Sequence, residues 1–197
     1  MGSNVSPKKT NWMQLASFVL IILLTTEVIL LILQNRELKS TLKTMTASRV
    51  EPLKPGERVE PVKVQTLDGI TNDLVYADST RRYLLFVFST SCPHCEKTFP
   101  VWQQIATNMK SDHLSIVGIS TYALAETQKY AADKKPGFSI VSVGADTSFG
   151  RKYKVSGVPE TILLKGDGTV VKVWVGELQP DQVNEIRTLL EASQASG

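Results

Sequence analysis

The sequence predicts a three-layer α/β domain with a mixed central sheet, set behind one apolar N-terminal helix. Three observations lead there. An apolar stretch fills 12–33, strand-length apolar runs alternate with segments of helical spacing from about residue 60, and the last strands close as a hairpin. With 197 residues, 42% of them apolar, the chain has material for one domain of ordinary size and an addition.

Charge separates the two parts. Lys and Arg outnumber Asp and Glu eight to five up to residue 60, and the two are matched at fourteen each beyond it. The globular part is therefore neutral and carries no basic stripe, which argues against nucleic acid as a partner.

"WMQLASFVLIILLTTEVILLIL", Trp12 to Leu33, holds a single charge, Glu27. As a helix it would run about 33 Å, enough to cross a hydrocarbon core of about 30 Å. Trp12 sits where an interfacial aromatic belongs. A cleaved signal peptide has a shorter apolar core and a small-residue site close behind it, whereas here "QNRELK" follows. The expected organisation is a short cytoplasmic tail at 1–11, a membrane anchor at 12–33, a stalk at 34–60 and the α/β domain at 61–197. Charge counting alone points the other way. Lys8 and Lys9 precede the span and Arg36, Lys39, Lys43 and Arg49 follow it, which favours a cytoplasmic C-terminus. Glu27 reads either as a contact for a partner helix or as a protonated side chain beside Thr25 and Thr26.

In the stalk, Leu38, Leu42 and Met45 recur at near-helical spacing, and "EPLKPGERVEPV" ends any helix with three prolines and a glycine. "VKVQTLDG" and "NDLVY" read as a hairpin or two edge strands. "RYLLFVFS" is a continuous apolar run, as a central strand covered on both faces would be. Phe99, Trp102, Ile105 and Met109 fall on one side of a helix from Glu96 to Met109. "LSIVGIST" is a second buried strand, "ALAETQKYAADKK" a helix stopped by Pro136-Gly137, and "FSIVSVGA" a third strand. "ETILLKGDGTVVKVWVG" turns at Gly166-Asp167-Gly168, and a last helix begins near Pro180-Asp181.

The chemistry lies in "FSTSCPHCEKTFP", residues 88–100, which contains both cysteines of the chain. Cys92 directly follows a buried strand. Pro93 suits the first turn of a helix, where its missing N–H has no partner to lose. The helix N-terminus stabilises a thiolate at Cys92 over the thiol. Cys95, one turn on, is expected to be the more buried, protonated, resolving thiol. His94 between them can add positive charge or a hydrogen bond to the sulfur. A structural zinc site needs four ligands, and the loop position of His94 fits that poorly even with His113 available. A purely structural disulfide over so small a loop would add little stability. The pair reads as redox-active, with no metal and no cofactor.

"LLFVFSTSCPHCEKTFPVW" together with "DTSFGRKYKVSGVPETILLKGDGTVV" resembles the membrane-anchored thioredoxin-like proteins of the TlpA/ResA type. These are bacterial thiol–disulfide oxidoreductases held by one N-terminal helix, with the catalytic domain outside the cytoplasmic membrane. The resemblance covers about residues 60–192. It implies a thioredoxin-like fold, Cys92 as the attacking and Cys95 as the resolving cysteine of a redox-active disulfide, and Pro159 as the cis-proline facing them. It also implies pairing of a substrate strand with the backbone of Val158, with Ser91 and Pro93 at the lip of the site, and a helix bent at Pro100. Implied partners are client proteins with cysteine pairs, such as apocytochromes or metalloprotein maturation factors, and a membrane redox partner that supplies or removes electrons. The implied location is the bacterial inner membrane, crossed once, with the domain facing the periplasm or cell exterior.

The sequence departs from the family at Ser91, where a tryptophan is common, at Thr98, where an acidic residue is common, and at Phe86, where many members carry a polar residue. The usual activators of the buried thiol are absent, leaving His94, Glu96 or water. The Pro-His dipeptide and Val158 also resemble the oxidising periplasmic disulfide oxidases, but the segment between Thr121 and Gly144 is too short for their helical insertion. The scaffold implies a reductase and the loop an oxidant. A membrane-tethered metal chaperone on the same fold is the reading from a different class.

Overall fold

The computed structural model describes residues 16–32, 50–144 and 147–194. They fall into two compact units divided after Arg49. The first contributes helix α1, 16–32, whose apolar side chains are exposed. Within it the Thr25 and Thr26 hydroxyls donate to the carbonyls of Ile21 and Ile22, at 2.9 and 2.7 Å, so neither is left without an acceptor. Among the described residues no helix is long and apolar enough to cross a membrane. The ends of the expected span, 12–15 and 33, lie outside the described residues, as do the tail at 1–11 and the stalk at 34–49 with Leu38, Leu42 and Met45.

The second unit carries seven strands and four helices in the order β1 (Val62–Thr66), β2 (Thr71–Leu74), β3 (Arg82–Phe88), α2 (Pro93–Asn108), β4 (Leu114–Ser120), α3 (Leu124–Lys134), β5 (Ser139–Ser142), α4 (Thr147–Lys152), β6 (Glu160–Lys165), β7 (Val170–Val175) and α5 (Pro180–Gln194). The sheet runs β2-β1-β5-β4-β3-β6-β7. β3, β4 and β5 are parallel, while β6 and β7 on one side and β1 and β2 on the other are antiparallel to their neighbours. This is the mixed sheet that the alternating runs and the closing hairpin predict.

β3 explains why its sequence has no polar alternation. Leu84, Phe86 and Phe88 point to one face, where they pack with Phe99 and Trp102 of α2, Tyr130 of α3 and Ile186 of α5. Leu85 and Val87 point to the other, against Phe149 and Tyr153 at α4. Both faces of the sheet are covered, so every position from Leu84 to Phe88 is apolar. Phe86 stacks on Trp102 with ring centroids 4.8 Å apart. The residue that is often polar in the family is here part of an aromatic core.

Residues 50–60, placed in the stalk by their prolines, pack on the domain. Leu53 and Val59 are buried, Arg58 bridges to Thr169, and the Tyr153 hydroxyl donates to the Glu60 carbonyl at 3.0 Å. Prolines exclude helix there but leave extended backbone free to pack.

The β6–β7 turn shows why two glycines flank Asp167. A Cβ at Gly166 would lie 1.7 Å from the Asp78 carbonyl oxygen, and Gly168 has φ +85°. Close approach requires the first glycine and the left-handed backbone favours the second.

Candidate active site

β3 ends at Phe88 and α2 begins at Pro93, which leaves Cys92 as the residue that caps the helix. Its backbone is extended, φ −88° and ψ 116°, and no side chain caps the helix. The Cys92 carbonyl accepts the Glu96 N–H at 3.2 Å, and the Cys92 N–H donates to Ser89 at 3.3 Å. The helix starts three residues before the apolar spacing reveals it, because Pro93 needs no hydrogen-bond partner in the first turn. Pro100 lies inside the helix, where it cannot donate to the Glu96 carbonyl.

Both cysteines are free thiols, and they differ in exposure: Cys92 is partly exposed and Cys95 is wholly buried. Burial pushes the Cys95 thiol up to about 12, opposed by a backbone hydrogen bond at Ser89 and reinforced by the Cys92 sulfur beside it. The Cys92 thiol donates to the Val158 carbonyl at 3.6 Å, and the Val158–Pro159 peptide bond is cis. The loop before β6 therefore meets the N-terminus of α2 at the sulfur. Of the residues singled out in the sequence, Cys92, Cys95, Val158 and Pro159 come together here. Ser91 and Pro93 flank Cys92 along the chain.

His94 turns to another partner. Its Nδ1 lies 2.6 Å from Oε1 of Glu177, in the loop between β7 and α5, and Lys97 reaches the same oxygen at 3.6 Å. His94 and then Lys97 hold the Glu177 carboxyl below the usual carboxylate range. Glu96 pairs with Lys134 of α3, which sits over the Tyr130 ring. Thr98, in the position where the family commonly has an acid, is buried with no hydrogen-bond partner for its hydroxyl.

Three residues near the site have no signal in the sequence. Glu177 and Tyr122 lie in loops far along the chain, and the fold alone brings them to the helix N-terminus. Glu160 follows Pro159 and is wholly buried. Its Oε2 accepts the Ser156 N–H at 3.2 Å, while Oε1 has no partner. Burial raises its carboxyl to about 7, opposed by the hydrogen bonds from Ser156 and Gly157. The pleat of β6 puts Glu160 on the side of Ile162 and Leu164, away from α2, where it ties down the loop that carries Val158.

Residues 71–191 match the family described as a thioredoxin-like domain. The methylamine utilization protein MauD of Methylobacillus flagellatus is 30% identical over 116 residues, covering 58% of this chain and 54% of that one. The thiol-disulfide oxidoreductase ResA of Bacillus subtilis is 25% identical over 111 residues, covering 56% and 62%. The match spans about half the length of the MauD relatives. The solved thioredoxin domain of a thiol-disulfide oxidoreductase from Bacteroides vulgatus superposes with a TM-score of 0.60 at 21% identity, covering 70% of this chain and 99% of that one. At that identity the likeness is one of fold.

Proposed function

The chain belongs to the thioredoxin-like domain family, and from that premise we propose that it is a membrane-anchored thiol–disulfide oxidoreductase that reduces client proteins outside the cytoplasm. One observation carries the reading. A partly exposed thiol at a helix N-terminus stands in front of a second, wholly buried thiol one turn behind it. Helix N–H groups and dipole favour negative charge on the first sulfur, and burial keeps the second protonated until it is needed.

The exchange proceeds in two steps. The Cys92 thiolate attacks one sulfur of a client disulfide, forming a mixed disulfide and releasing the other sulfur as a thiolate, which takes a proton from solvent. Cys95 then loses its proton, attacks the Cys92 sulfur and expels the second client thiol. Two electrons pass to the client, the Cys92–Cys95 disulfide forms, and a membrane-bound donor restores the dithiol. The Val158 carbonyl beside the sulfur is the natural acceptor for an extended client backbone. Clients in this reading are exported proteins whose paired cysteines must be reduced before maturation, such as apocytochromes.

The same chemistry run backwards would oxidise client thiols, and the Pro-His dipeptide favours that direction. The pairing of His94 with Glu177 favours reduction, because the carboxylate offsets positive charge that would stabilise the Cys92 thiolate. A metal chaperone would instead retain metal stoichiometrically and lose it in Cys92→Ser. The anchor is supported by the apolar, exposed side chains of α1 and its self-satisfied threonines.

Insulin reduction by the full-length protein in detergent, with dithiothreitol as electron source, tests the activity. The wild type accelerates it and Cys92→Ser does not; equal rates for the two would end the proposal. Protease added to intact spheroplasts tests the orientation: digestion of the domain agrees with it, and full protection until lysis contradicts it.

A further inference from the structure

The loop between β4 and α3 is held more firmly than an exposed loop requires. Ser120, Thr127 and Ser142 are buried to 0% exposure, and all three hydroxyls serve one stretch of backbone. Ser120 Oγ accepts the Tyr122 N–H at 3.2 Å, and the Thr127 hydroxyl donates to that same oxygen at 2.7 Å. The Ser142 hydroxyl donates to the Tyr122 carbonyl and accepts the Gly144 N–H at 3.0 Å. One residue earlier, the Thr121 N–H donates to the carbonyl of Phe88, the last residue of β3, at 2.9 Å. The backbone of Tyr122 is thus satisfied on both sides by buried groups drawn from β4, α3 and β5.

What this support holds up is a side chain in the open. Tyr122 is 39% exposed, and its hydroxyl meets Ser91 Oγ at 2.8 Å. Ser91 directly precedes the attacking cysteine. A large aromatic side chain fixed in place against Ser91, the residue before the attacking cysteine, and left accessible offers rigid apolar contact at little entropic cost.

We propose that Tyr122 is a client-specificity residue, its ring forming one wall of the docking surface at Ser91 and taking an apolar side chain adjacent to the client's cysteine. This rests on the thiol–disulfide exchange proposed above. The occupant is an extended polypeptide segment whose cysteine lies over Cys92, whose backbone faces the Val158 carbonyl, and whose neighbouring apolar residue covers the Tyr122 ring.

The test uses the reduced full-length protein in detergent and two short peptides that differ only in having Leu or Gly before a cysteine. Each peptide is supplied as a mixed disulfide with thionitrobenzoate. The Cys92 thiolate attacks the peptide sulfur and releases coloured thionitrobenzoate. Cys95 then gives up its proton and displaces the peptide thiol, leaving the enzyme disulfide. The wild type reacts faster with the Leu peptide, and Tyr122→Ala lowers that second-order rate constant about tenfold, to the Gly-peptide value, corresponding to about 1.4 kcal/mol of lost contact. Tyr122→Phe keeps the ring and the preference. A preference that survives Tyr122→Ala, disappears in Tyr122→Phe, or is absent from the wild type overturns the proposal while leaving exchange intact. A wild type that reacts with neither peptide overturns the exchange activity itself.

Discussion

The Cys92 sulfur lies 3.6 Å from the carbonyl oxygen of Val158, although the two residues are 66 positions apart. The contact joins the start of α2 to the loop before β6. β3 and β6 bring it about by pairing antiparallel from Arg82–Lys165 to Val87–Glu160, so the end of one strand faces the beginning of the other. The loops after β3 and before β6 must then meet at the same end of these two interior strands.

Glu177 is the carboxylate paired with His94, the residue between the two cysteines, and with Lys97. Replacing it with Gln removes one negative charge next to His94 and Lys97, so the local charge becomes more positive whatever proton His94 carries. More positive charge favours the Cys92 thiolate and hence the dithiol form. Titration of Glu177→Gln against glutathione is expected to show a potential more oxidising by roughly 10–30 mV. A shift toward more reducing values would contradict the role.

Glu160 makes stability depend on pH. Its folded value of about 7 lies above the ordinary carboxylate value of 4.5, so the folded state binds this proton more tightly than the unfolded state. The resulting stability is fully present below about pH 4.5 and is lost as pH rises toward 7, a change on the order of 3 kcal/mol. Denaturant melts of Glu160→Gln should therefore fall less steeply across that window than those of the wild type. Parallel curves would show that the buried carboxyl does not titrate there.

Trp102 reports on the core behind the site. Its indole N–H donates to Thr161 Oγ1 at 3.0 Å, and both side chains are buried. Thr161→Val keeps the shape and leaves the N–H without an acceptor, which should cost about 1–3 kcal/mol. Chemical denaturation followed by tryptophan fluorescence measures it. An unchanged midpoint would mean that another acceptor takes over.

Local grammar made much of this molecule legible. The run from Arg82 to Phe88, the proline after Cys92 and the glycines around Asp167 each fix a strand, a helix start or a turn through nearby residues. The placement of the two cysteines was readable for the same reason, since β3, Cys92, Pro93 and Cys95 all fall within the short stretch 82–95. The partner of His94 was not readable, because Glu177 reaches it only after β6, β7 and the turn between them are in place. Tyr122 was hidden in the same way: nothing local distinguishes one loop tyrosine from another until β3 and β4 bring it beside Ser91. Residues 50–60 show the converse, as their prolines correctly exclude helix but say nothing about whether Leu53 and Val59 pack.

The account stands on two thiols with different tasks, and intact-mass analysis of Cys95→Ser after mixing with an oxidised client such as insulin tests that most directly. The expected result is a covalent adduct of enzyme and one insulin chain through Cys92, released by dithiothreitol and absent from the Cys92→Ser Cys95→Ser double variant. No adduct, or an equal yield from Cys92→Ser with Cys95 intact, would contradict it.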